Sequence, residues 1–159
     1  MALLSCASSG VRRSPGDSIS ITKRCWSRVY VSPCWSYDLS VSADGHIMGR
    51  SQLALSDQRL TSNYRVPPEE VAEFRRLLEP LRATSSPPRA MQLCEHKDAW
   101  DYQLGVHKDP DFVLRWSGPD GQSLLVVCDA DTHIYQAVHR ALLSVRLNAV
   151  GSRIDAFHD

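Results

Sequence analysis

Residues 37–49, YDLSVSADGHIMG, decide how this chain folds. Tyr37, Leu39 and Val41 alternate with Asp38, Ser40 and Ser42, the pattern of a strand with one apolar and one polar face. Ala43-Asp44-Gly45 follows at once, and Asp-Gly tolerates the positive φ values of a tight hairpin turn. HIMGRSQLAL, residues 46–55, then returns as the partner strand, with Gly49 expected to mark a bulge.

Working outward, SISITKR at 18–24 places Ile19 and Ile21 on one face and reads as a first strand, and two β-rich pieces flank Pro33-Cys34. VPPEEVAEFRRLLEPLRA, 66–83, is the clearest helix. Pro67 and Pro68 suit its start, Glu69 and Glu70 suit the positive end of its dipole, and Pro80 should limit it. Val71, Phe74, Leu77, Leu78 and Leu81 form its apolar stripe. In the stretch that follows, WDYQLGV at 100–106 reads as a strand. FVLRWSGPDGQSLLVVCD, 112–129, is a hairpin around Gly118-Pro119-Asp120-Gly121. DTHIYQAVHRALLSVRLNAV, 131–150, is a second helix, capped by Asp131 or Thr132 and closed at Asn148. Its buried face should hold Ile134, Val138, Ala141, Leu142 and Val145. The predicted fold class is therefore α+β: an antiparallel sheet covered on one face by two helices, in the order strands, helix, strands, helix. Residues 1–17 read as a flexible tether, 18–150 as one domain and 151–159 as a tail.

Bulk composition narrows the function. The chain has 159 residues, 43% hydrophobic and 23% charged, as an ordinary globular domain does. Lys+Arg and Asp+Glu both number 18, so no net charge favours nucleic acid as the partner. No apolar run approaches the roughly 18 residues that span a bilayer. The five cysteines are many for this length. With Cys6 set aside, Cys25, Cys34, Cys94 and Cys128 allow three disulfide connectivities, and Cys25–Cys34 with Cys94–Cys128 joins neighbours in the layout above. Five free thiols in a cytoplasmic protein are the competing reading.

Cys6 matters because Leu3-Leu4-Ser5-Cys6 matches the end of a bacterial lipoprotein signal, although the basic and apolar regions such a signal needs are not present before it. The other reading is a chance match in a polar N-terminal segment. From Ser18 to Asn148 the chain resembles a family of uncharacterised bacterial lipoproteins and secreted domains, whose hallmark is a strand, Cys-x-Gly-x-Cys-Pro-x-Tyr, a second strand, Asp-Gly, and a third strand ending in Gly. The matching pieces are ISITKRC at 19–25, Cys34 with Tyr37, Asp44-Gly45 and Gly49. Here Cys25 and Cys34 are further apart than in the family, the Gly between them is missing, and Trp35 follows Cys34 in place of Pro. The resemblance implies a lipidated protein of the cell envelope, with Cys6 as the lipid-bearing residue, and no established activity.

Candidate sites are few. Asp129, Asp131, His133 and His139 have oxygen and imidazole ligands at alternating spacing, but they lie where a strand hands over to a helix, and capping explains them better than a metal does. Lys23, Arg24 and Arg28 near Cys25 would lower a thiol pKa, yet no cysteine-enzyme signature surrounds Cys25 or Cys34. No serine nucleophile elbow or phosphate-binding glycine loop occurs. Trp26, Tyr30, Trp35 and Tyr37, interleaved with Arg24 and Arg28, form an aromatic cluster suited to a protein interface, and Trp100 with Tyr102 forms a weaker one. Completion of the sheet's core is the rival role for these rings. The expectation is a non-enzymatic periplasmic lipoprotein that binds another protein, such as a secreted toxin or cell-wall hydrolase, without a cofactor. The alternatives are an envelope structural or stress protein, or a metal- or thiol-dependent enzyme.

Overall fold

The computed structural model describes residues 17–24, 34–54, 56–82, 111–128, 130, 132–148 and 151. Among the described residues, six strands and two helices follow one another. They are β1 (Ser18–Lys23), β2 (Trp35–Ser42), β3 (His46–Leu53), β4 (Arg59–Arg65), α1 (Pro68–Arg82), β5 (Phe112–Gly118), β6 (Gly121–Val127) and α2 (Thr132–Ser144). The strands form one antiparallel sheet in the order β4-β3-β2-β1-β5-β6. The expected α+β class, with two helices against one face, is the observed one.

Period-2 patterning sets the two faces. Ile19, Ile21, Leu39, Val41, Ile47 and Leu114 are buried, and they pack with Phe74 and Leu78 of α1 and Val138 and Leu142 of α2. The helices also pack against each other. Burying these aliphatic and aromatic side chains contributes roughly 1.5–3 kcal/mol each, which is what holds the layers together. Asp44-Gly45 makes the β2–β3 turn as the sequence predicts, with Gly45 at φ +83° and its carbonyl accepting the Val66 N–H at 3.0 Å. A Cβ on Gly45 would collide with the Val66 carbonyl oxygen, so only glycine fits.

Four features differ from the sequence reading. Gly49 is no bulge: the β2–β3 register runs unbroken from Trp35↔Leu53 to Val41↔Ile47. Glycine there leaves room for the Leu39 side chain, which would have to shift to admit a Cβ. β4 has no counterpart in the sequence reading. Pro80 does not end α1, which runs on to Arg82, because a proline in the last turn removes a single intrahelical N–H and here its ring faces solvent. Finally, α2 stops at Ser144 rather than Asn148. Arg146 takes φ +62°, and the N–H groups of Arg146 and Leu147 bond back to the carbonyls of Leu143 and Leu142, at 3.0 and 2.9 Å. This is a Schellman closure with arginine in the usual glycine position.

The chain beyond α2 is tied under β4. Leu147 is fully buried, the Tyr64 hydroxyl donates to the Val145 carbonyl at 2.6 Å, and the Ser62 hydroxyl reaches the Gly151 carbonyl at 3.4 Å. Gly151, the first residue of the expected tail, is itself buried.

Candidate binding surfaces

The two described helices cover one face, and the other face of the sheet carries the outward residues of every strand. Register aligns them in rows. Thr22, Asp38, Arg50 and Thr61 form one row from β1 to β4, and Ser20, Ser40, Met48 and Asn63 form the next. Arg115 of β5 continues the second row beside Ser20. A shallow hollow of about 560 Å³ lies over these rows, with Met48, 53% exposed, in its wall. A neighbouring hollow of about 500 Å³ shares Asp38, Arg50 and Thr61 with it and adds Arg24 and Arg59.

The charges on this face are unevenly paired. Asp38 accepts from the Thr22 hydroxyl at 2.8 Å and from both terminal nitrogens of Arg24 at 3.2 and 3.3 Å. Arg65 pairs with Asp44 at 2.9 Å. The Asp44 carboxyl is held below its ordinary range, first by the Ser42 hydroxyl, then by the His46 N–H and Arg65. Arg50, Arg59 and Arg115 have no acidic partner among the described residues, so the face carries an excess of positive charge. Ser42, Asp44 and His46 do not make a nucleophilic triad. The Ser42 hydroxyl is engaged by Asp44 and by the His46 backbone, while the His46 ring bonds Asn63 at 2.8 Å.

A second, smaller pocket of about 260 Å³ lies on the covered side, between the end of β1 and α2. Thr132, Tyr135, Gln136 and His139 line it from one stripe of α2, and Lys23, Tyr37 and Phe112 line it from the sheet. Phe112 and Tyr135 meet edge to face, with ring centroids 5.0 Å apart. The Lys23 ammonium sits 5.9 Å from the Tyr37 ring centroid. Burial pushes the Lys23 amine below its ordinary range, against an opposing pull from Asp111, and burial pushes the Tyr37 phenol up.

Trp35 opens β2, half-buried, on the same side of the sheet as Tyr37 and away from the polar face. Cys34 and Cys128 lie at one end of the sheet, and neither is a free thiol. β1 and β5 separate their strands, so three inter-strand steps of ~4.8 Å put them well beyond the ~7 Å Cα limit for a mutual bridge. His133 and His139 are exposed on α2. Cys6, Cys25, Trp26, Arg28, Tyr30, Cys94, Trp100, Tyr102, Asp129 and Asp131 lie outside the described residues. The described members of the predicted sites do not converge. The sequence reading missed both the arginine-bearing face and the Lys23 pocket. Alternation already turns Arg50 outward, but Arg59 has no side until β4 is recognised as a strand.

The chain matches no family model, no curated protein and no solved structure.

Proposed function

We propose that this chain is a non-enzymatic binding protein of the cell envelope, and that the sheet face opposite its two described helices captures a partner protein with an acidic surface. The observation that carries this reading is the trio Arg50, Arg59 and Arg115, which have no acidic partner among the described residues and are set among short hydroxyl side chains around exposed Met48. Arginine is favoured at protein interfaces because its planar fork bonds carboxylates in two places and sheds water readily. Short Ser and Thr neighbours leave a partner room to approach the sheet, and an inhibitor or immunity protein would act by covering its target's cleft.

The envelope setting rests on sulfur chemistry. Neither Cys34 nor Cys128 is a free thiol, and their strands are three places apart in the sheet, so on this reading each pairs with one of Cys6, Cys25 and Cys94. Cys25 follows β1 by two residues in sequence and Cys34 immediately precedes β2, the strand paired with β1, which favours Cys25–Cys34 and Cys94–Cys128 and leaves Cys6 for the lipid. Two such bridges belong in an oxidising compartment. Peptide mapping of the unreduced protein tests the pairing, and any bridge that includes Cys6 contradicts it.

Capture from an extract of the host's envelope proteins tests the function. The wild-type chain should retain an identified acidic protein at about 0.15 M salt and release it near 1 M. Arg50→Glu/Arg59→Glu should lose it by tenfold or more, whereas Trp35→Ala should not. Equal retention by the charge-reversed variant would sink the reading.

A further inference from the structure

We propose that the pocket between α2 and the end of β1 binds a small monocarboxylate with a compact apolar body. Its lining includes the nearly fully buried Tyr37, Phe112, Val138 and Leu142 together with the exposed Tyr135. One cation faces this lining. Lys23 forms no ion pair among the described residues. The nearest acidic group felt by its charge, Asp111, uses its carboxylate to accept the Ala130 N–H at 2.9 Å instead of pairing with the amine.

A partly desolvated ammonium is costly unless a counter-charge meets it, and a ligand carboxylate would be that counter-charge. The first turn of α2 adds Thr132 and the positive end of a 13-residue helix to the same pocket. The volume, about 260 Å³, lies just below the ~300–1,000 Å³ typical of sites for drug-sized ligands. A single ring on a short chain suits it, and a long acyl chain does not. One ammonium matches a monoanion better than a phosphate. The pocket lies on the opposite side of the sheet from the arginine face, so this proposal stands or falls independently of protein capture.

Titration of 3-phenylpropionate into the full chain, followed by amide NMR shifts, tests it. The acid should bind and shift residues 23, 112, 135 and 138, while its neutral amide should bind at least roughly tenfold more weakly, as loss of a charge-assisted hydrogen bond implies. Lys23→Met should weaken the acid by a similar factor and leave the amide unchanged. Arg50→Gln should alter neither. Equal affinities for acid and amide, or no shift at these residues with millimolar acid, would overturn the assignment. The comparison of acid with amide needs no variant, so it decides the matter even if a substitution disturbs folding.

Discussion

Lys23 carries its charge at a cost to the fold. Its neighbours in β1, Ile19 and Ile21, point into the core, and strand alternation sends Lys23 the same way. Burial therefore lowers its affinity for a proton, with Asp111 opposing and the Tyr37 ring only a weak substitute for water. In the unfolded chain the amine titrates near its ordinary 10.5. Between the lower folded value and that point the unfolded state binds more protons, so this group's contribution to stability rises with pH there and is unfavourable below it. Lys23→Met should thus be more stable than wild type at pH 7, with the difference shrinking as pH approaches 10.5. The Tyr37 phenol, raised by burial, stays neutral in the folded state across this window, and it lowers the stability of both proteins once unfolded tyrosine ionises above about 10. Urea melts at a series of pH values measure the difference. A difference that does not change with pH would show that burial of the charge is not what Lys23 costs.

Among the elements, the end of α2 is tied to α1 by a charged pair. Arg146 closes the helix in a left-handed conformation and also donates to Glu70 of α1, at 2.6 Å from Nη2 and 3.1 Å from Nε. The pair is solvent-screened, so it contributes little to stability. A non-glycine residue at positive φ costs ~1–2 kcal/mol. Arg146→Ala loses the pair and keeps the strain, whereas Arg146→Gly loses the pair and relieves the strain. Denaturant melts should find the glycine variant more stable than the alanine variant by about 1 kcal/mol and close to wild type. Alanine equal to glycine would mean that the backbone there is not strained. Arginine at this position carries no stop signal, which is why the sequence places the end of α2 too late, at Asn148. β4 is illegible for a related reason. In RLTSNYR the inward positions are Leu60, Ser62 and Tyr64, and a buried serine breaks the apolar alternation. Ser62 is tolerated inside because Gly151, far along the chain, accepts its hydroxyl. The β2–β3 and β5–β6 hairpins were legible because alternation and turn chemistry agree locally. The candidate surfaces were not, since each is assembled by register between strands distant in sequence.

For the whole molecule, the decisive fact is that, among the described residues, the six-stranded sheet has helices on one side only. The covered side uses its apolar residues to hold the fold. The other side is free to be polar, and alternation places arginines there without disturbing the core. Local acids neutralise Arg24 and Arg65, leaving Arg50, Arg59 and Arg115 to attract an acidic partner. Arg140, exposed on α2, marks the opposite side of the molecule. Arginine modification by phenylglyoxal, mapped by mass spectrometry with and without the captured partner, reads the two sides in one measurement. The complex should protect Arg50, Arg59 and Arg115 and leave Arg140 as reactive as in the free protein. Protection of Arg140 with the other three unchanged would place the partner on the helices and contradict the account.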